Sequence, residues 1–410
     1  MPTNASSSFE QLRYIPEATY GVIPGAGNAV NLRMTDPTLK AAIPTVESQE
    51  VRPDRLSTGL VRVDQNITGG FNFELSGKEY DPFFEGLLGQ SFAHYGTSGV
   101  GTTFAMSTTS STITAAVAPT TTSAFTNLTA GSWFKVIPPA GASQAVKDYF
   151  ADTWFKVHAS TPVTTTVITL DASTPIAAPG LISSTAGYAI SQSVIQNGST
   201  VKSFAMELAY TDVVQFLTYT GLRVNSMDLA IDVGSLITGS FDFLGAGHSA
   251  QGVTLLPGTP VASQTLDPMN AVTDVGSIYE NGSSLLASTS FIKSVKLNVS
   301  NNLRGQKAVG VFGNAGVGVG ELMLTGTMEV YFQDATYYNK WLKGTNTSLS
   351  IGVADGLGNG YLVDFDKVTF KDGALNGGKR NEDVILALPF QAFYNPTTGR
   401  GIRITRGVSS

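Results

Sequence analysis

The sequence predicts a mainly β chain built from two tandem copies of one antiparallel sandwich or barrel, each with a single packed helix. A small all-β domain is expected inside the first copy. Three observations lead to this. Two segments with the period of a half-buried strand, Ile67-Thr-Gly-Gly-Phe-Asn-Phe-Glu-Leu75 and Leu324-Thr-Gly-Thr-Met-Glu-Val-Tyr-Phe332, align without a gap. Each runs into a short helical stretch. The strand-like segments that follow come in the same order in both halves.

Before the first helix, Asn31-Leu-Arg-Met-Thr35 pairs in the alignment with Val295-Lys-Leu-Asn-Val299. The first helix is expected to start with Asp81 as N-cap and Pro82 at the first helical position, where a missing N–H costs nothing. Phe83, Phe84, Leu87 and Leu88 then form its apolar stripe. In the second copy Asp334 is the expected cap, and Tyr337, Tyr338, Trp341 and Leu342 are the stripe. After the first helix come Ser203–Leu208, Phe216–Ile231 and Leu236–Phe243. After the second come Ser348–Val353, Tyr361–Phe370 and Val384–Phe390. The units are expected at 1–99 with 194–262, and at 263–410.

The insertion at 100–193 opens with a Thr/Ser tract, Thr102 to Thr129. Strands are expected at Ser111–Ala115, Trp133–Ile137, Trp154–His158, Thr166–Leu170 and Tyr188–Ile190. Its place between helix and strand puts it on the outside of the duplicated body.

Composition narrows the function. Charged residues are only 14% of the 410, against about 25% typically, as expected of a surface covered by neighbouring subunits and equally of fibrous or secreted β proteins. The formal charge is −6 and no block of Lys or Arg forms a phosphate-binding stripe. With no cysteine, disulfides and thiolate chemistry are excluded. Residues Met1 to Tyr14 hold no apolar core for a signal peptide, and no run of about 18 apolar residues is present to span a membrane.

His94, His158 and His248 stand in no metal-binding spacing. Gly313-Asn-Ala-Gly-Val-Gly-Val-Gly320 lacks the closing Gly-Lys-Ser/Thr of a phosphate loop and reads as a mobile loop. Asp355–Gly360 with Asp364 and Asp366 reads as a hairpin turn, because the oxygen spacing of a calcium loop is missing. No catalytic, cofactor or metal residue is expected.

The polar faces of the repeated strands are more informative. Thr68, Asn72 and Glu74 point away from the core in the first, and Thr325, Thr327, Glu329 and Gln333 in the second; Thr238, Ser240 and Asp242 do so near Ile237. Such a set is either a solvated outer face or a channel lining that is polar and poor in positive charge.

The ordered series of segments resembles the large, duplicated-domain tail tube proteins of long-tailed bacteriophages. It comprises Tyr14-Ile-Pro-Glu-Ala-Thr-Tyr-Gly21, Asn31–Thr35, Ser48–Arg55, Ile67-Thr-Gly-Gly70, Tyr80–Leu88, Ser203–Glu207, Gly221–Met227, Ile237–Gly245, Asn301–Arg304 and the Leu324 segment. Each segment alone is a strand with a glycine; the series covers nearly the whole chain. The resemblance implies two antiparallel sheets flanked by a helix, closing with other copies into stacked rings around the DNA channel. Two units per chain imply a trimer with pseudo-sixfold symmetry. The implied partners are other copies of the chain, a tape-measure protein in the lumen, tail terminator and distal tail proteins, and double-stranded DNA in transit, with no membrane. The implied place is the virion tail, assembled in the host cytoplasm.

Under that reading the polar strand faces line the channel. The loops Asp36–Leu60 and Asn301–Gly320 reach a neighbouring ring, with Arg52, Arg55 and Arg304 as contacts. A capsid-decorating or adhesin-like β protein is the alternative, and would form monomers or small closed oligomers. A carbohydrate-binding or hydrolytic β protein would need aromatics beside paired carboxylates, which Trp133 and Trp154 lack.

Overall fold

The computed structural model describes residues 4–94, 104–107, 112–115, 128–139, 141–158, 160, 163–164, 167–171, 189–285, 291–377 and 380–407. The chain begins with β1 (Glu10–Glu17), β2 (Val30–Leu32), β3 (Asp36–Pro37) and β4 (Lys40–Ala42). A hairpin of β5 (Thr45–Glu47) and β6 (Leu60–Arg62) leads to β7 (Asn66–Glu74) and α1 (Asp81–Leu88). After β8 (Ala93–His94) the insertion holds β9 (Phe104–Ser107), β10 (Thr112–Ala115), β11 (Trp133–Ile137), α2 (Gln144–Asp152), β12 (Phe155–Lys156), β13 (Val167–Thr169) and β14 (Ala189–Ser191), and β15 (Ser193–Gln196) follows at its end. The body resumes with β16 (Ser203–Tyr210), β17 (Gln215–Asp232), β18 (Thr238–Gly245) and β19 (Gly247–Gln251). The second half runs β20 (Val275–Glu280), β21 (Ser283–Ser284), β22 (Ile292–Ser300), β23 (Arg304–Gln306), β24 (Gly316–Gly318), β25 (Met323–Tyr331) and α3 (Thr336–Leu342). It ends with β26 (Thr347–Ala354), β27 (Gly360–Phe370), β28 (Ala374–Asn376), β29 (Ile385–Ala392) and β30 (Arg403–Gly407).

The same order of antiparallel pairings occurs in both halves. In the first, β1 pairs with β2 and β16, and β17 pairs with β16, β19 and β18; β18 pairs with β7, and β7 with β3 and β4. In the second, β20 pairs with β21 and β26, and β27 with β26, β30 and β29; β29 pairs with β25, and β25 with β22. Short β28 lies beside β29 as the last part of β17 lies beside β18. Ala374 is opposite Ala387, as Asp228 is opposite Ser240.

One element of the sequence alignment is displaced. The place of β22 beside β25 is taken in the first half by residues 36–42 beside β7, whereas Asn31 and Leu32 belong to β2, which pairs with β1. The alternation in Asn31–Thr35 is that of any half-buried strand and does not specify its neighbour.

The two halves meet edge to edge. β17 pairs with β22, Leu229 opposite Leu297, so one antiparallel sheet runs β3/β4–β7–β18–β17–β22–β25–β29–β28. Its apolar face carries Phe71, Phe73, Phe241 and Phe243; Phe71, Phe241 and Phe243 pack on Phe83 of α1, Phe71 at 5.1 Å centroid to centroid, and Phe73 packs on Tyr80 and Phe241. Gly326 is required within the sheet, because a Cβ there would stand 2.4 Å from the Phe390 ring and 2.5 Å from the Lys296 carbonyl.

The helix starts differ from expectation. Tyr80 is the N-cap of α1, and Asp81 is the buried first helical residue, whose carboxylate accepts from the Tyr361 hydroxyl at 2.7 Å and pairs with Arg406. Asp81 thus ties the first helix to β27 and β30 of the second half. At α3 the Asp334 carboxylate accepts from the Thr336 amide at 2.7 Å, one position outside the Ala335 cap. Of the α3 stripe, Tyr337 is buried and Tyr338 and Trp341 pack against the core, but Leu342 is 58% exposed.

The inserted module has its own core of Phe134, Phe150, Phe155 and Ile168, and it carries α2 besides its strands. Trp133 and Trp154 seat it on Tyr279 and Leu362 of the second half. Ser111, Thr166, Tyr188 and most of the Thr102–Thr129 tract lie outside the described residues. The return strand β15 pairs with β30, so residues 193–196 join the second half's sheet.

Candidate functional site

The face of the shared sheet opposite the core is polar from one half to the other. Along one transverse row stand Asp36, Asn72, Ser240, Asp228, Asn298, Thr325 and Gln391, each opposite the next across five consecutive strand pairings and a short sixth at β3. The row crosses the joint between halves without a break: the Asn298 side-chain amide donates to the Asp228 carboxylate at 2.7 Å. Strand periodicity produces it, since Phe71 and Phe73, Met227 and Leu229, and Leu297 and Val299 turn the other way into the core.

The neighbouring rows hold the other sequence-derived positions. Glu74 stands opposite Thr238, Thr327 opposite Lys296, Glu329 opposite Ser294, and Asp242 opposite Gly70 and Ser226. Thr68 lies at the end of the sheet between Lys40 and Leu244. The structure therefore brings Thr68, Asn72, Glu74, Thr238, Ser240, Asp242, Thr325, Thr327 and Glu329 onto one face. Gln333 does not join them: β25 ends at Tyr331, and Gln333 is exposed beyond the ladder.

Sequence reasoning missed Asp36, Asp228, Asp232 and Asn298 on this face, and also three lysines, Lys40, Lys293 and Lys296. Lys293 lies 3.6 Å from Glu329. On these strands the six carboxylates of Asp36, Glu74, Asp228, Asp232, Asp242 and Glu329 outnumber the three lysines and Arg223, which stands opposite Leu244. Desolvation raises the Asp242 pKa above its ordinary value; the nearby Asp228 charge adds to this and Lys40 opposes it. Alternate residues of the 18-residue β17 were the available signal for Asp228 and Asp232.

Among the described residues no group of three His, Asp or Glu side chains is placed to hold a metal ion. A family model described as "phage tail tube protein" matches residues 10–392.

The chain belongs to the phage tail tube protein family.

A tail tube protein is a structural component of the virion tail and self-associates into a tube, and the family is in general not enzymatic. No curated protein matches the chain. Among the described residues no helix is long and apolar enough to cross a membrane.

The remaining candidates fall outside the polar face. Arg52 and Arg55 sit at the exposed tip of the β5–β6 hairpin, with Arg52 paired to Asp54 at 2.7 Å, which holds that carboxyl below its ordinary range. Arg304 opens β23, and the β23–β24 hairpin folds back over the first half. Lys307 there reaches Asp64 at 2.8 Å, and the Asn314 side chain donates to the Gly245 carbonyl at 2.7 Å. The Gly313–Gly320 segment is thus a docked hairpin arm. Asp355 accepts from the Leu357 and Asn359 amides in the turn joining β26 and β27. His248 stacks on Tyr219 at 4.6 Å, and its burial lowers the imidazole pKa.

Proposed function

We propose that this tail tube subunit closes side by side with other copies into rings whose polar sheet face lines a channel for DNA. Each chain supplies two equivalent units, 1–99 with 194–262 and 263–410, so three chains make a ring with pseudo-sixfold symmetry. The 100–193 module stands on the ring's exterior. Rings stack through loops at the ends of the sheet, with Arg52, Arg55 and Arg304 as contacts. Stacking is a heterologous contact that propagates instead of closing.

The observation that carries this reading is the joint between β17 and β22. There the two halves, which have the same order of strand pairings, share one sheet, and the polar row runs across it unbroken. A closed ring made of such joints has no free strand edge. A net acidic wall gives DNA, with one charge per roughly 1.7 Å of axis, no basic stripe on which to exchange counterions. The same lumen would hold a tape-measure protein before ejection, and the tube's ends would meet terminator and distal tail proteins. Assembly takes place in the host cytoplasm.

Negative-stain microscopy of the purified protein tests the proposal. Rings or hollow tubes support it. Single particles at all concentrations would point instead to a decoration or adhesin-like protein.

A further inference from the structure

The joint inside the chain has a counterpart with its partner missing. Following the ladders, Asp228, Leu229 and Ala230 of β17 occupy the places of Ala374, Leu375 and Asn376 of β28. Lys296, Leu297 and Asn298 of β22 occupy the places of Thr38, Leu39 and Lys40 around β3 and β4. Within the chain the first set pairs with β22. Among the described residues β28 pairs only with β29, and β3 and β4 pair only with β7.

Burial marks the missing strand. Leu229, covered by β22, is 5% exposed, whereas Leu375 at the equivalent place is 44% exposed. The hairpin arms differ in the same way. The β23–β24 arm crosses the joint and docks on the first half through Asn314 and Lys307. The β5–β6 arm fills the same slot between β4 and β7 but has no unit across its edge, and it leaves Val46 55%, Leu60 69% and Val61 60% exposed.

We infer that β28 of one subunit pairs antiparallel with the β3–β4 edge of the next in the register of the internal joint. Leu375 then faces Leu39, Ala374 faces Lys40, and Asn376 faces Thr38. The β5–β6 arm of the second subunit lies over the neighbour's β27, β29 and β25, covering Val46, Leu60 and Val61. This rests on the ring reading above and specifies its lateral contact. The partner is a second copy because the edge strand it needs is present on the same chain, in the slot that β22 fills internally.

The chain has no cysteine, so a designed pair reports the register directly. Lys40→Cys with Ala374→Cys should cross-link between subunits under mild oxidation, giving dimers and closed trimers on a denaturing gel. Asp228→Cys with Asn298→Cys, at the equivalent internal positions, should cross-link within the chain and shows that the geometry permits the bond. Leu375→Asp should leave the fold unchanged, because the side chain is already exposed, and should raise the concentration needed for assembly at least about tenfold. If the internal pair cross-links and tubes form, yet the Lys40/Ala374 pair does not, the register is wrong while the tube reading stands. If the unsubstituted protein never associates, both fail together. Assembly of Leu375→Asp at the normal concentration would likewise overturn the edge assignment.

Discussion

Removing the Asp81 carboxylate should destabilise the chain far more than a lost helix cap would. Asp81 is 8% exposed, accepts from the Tyr361 hydroxyl at 2.7 Å and pairs with Arg406, whose side chain is 13% exposed and lies over Phe92. Asp81→Ala removes the charge partner of a half-buried guanidinium and the acceptor of a buried phenol. Breaking a buried pair costs about 3–5 kcal/mol, whereas losing an N-cap costs about 1 kcal/mol. Asp81→Asn keeps an acceptor for Tyr361 but no charge for Arg406, and should fall between these. Urea unfolding of the three proteins, with the midpoint converted through the m-value, measures the difference. A cycle with Arg406→Ala should give a coupling of at least about 1 kcal/mol. A cost of about 1 kcal/mol or less for Asp81→Ala, with no coupling to Arg406, would refute the tie between the first helix and the second half.

Asp242 gives a pH-dependent prediction. Its folded-state pKa is raised, so its contribution to stability is complete below the unfolded value of about 3.9 and is lost as pH rises through the folded value. Asp242→Asn should therefore raise the thermal midpoint at about pH 7 and leave it unchanged at about pH 3, as scanning calorimetry would show. Lysine at Glu74 and Glu329 together should invert the charge balance of the polar face and slow DNA release from assembled virions. A normal ejection rate in a fluorescence release assay would take those two residues off the channel wall.

The strands that alternate cleanly were legible. Phe71, Phe73 and Met328 on one side and Asn72, Glu74 and Glu329 on the other follow directly from period two. The order of strands around α1 and α3 was legible too, because Asp81-Pro82 and Asp334 punctuate the sequence between them. What period cannot state is the neighbour. Nothing local in Asn31–Thr35 says that β2 pairs with β1, and nothing in Ser226–Asp232 says that this stretch continues β17 onto β22. Asp228 and Asn298 therefore entered the face only through the pairing. Gln333 failed for a local reason, since the ladder stops two residues earlier. In α2, Val146 and Phe150 stand four apart behind Ser143, a helical signal overshadowed by the Trp-Phe-Lys-Val strands on either side. Asp81 reads as a cap by position; its burial depends on Arg406 at the far end of the chain.

The most direct measurement is a reconstruction of the assembled protein by electron cryomicroscopy. Three chains per ring are expected, with the row from Asp36 to Gln391 facing the lumen and β28 of each chain against β3–β4 of the next. Six chains per ring, or that row on the outer surface, would contradict this arrangement.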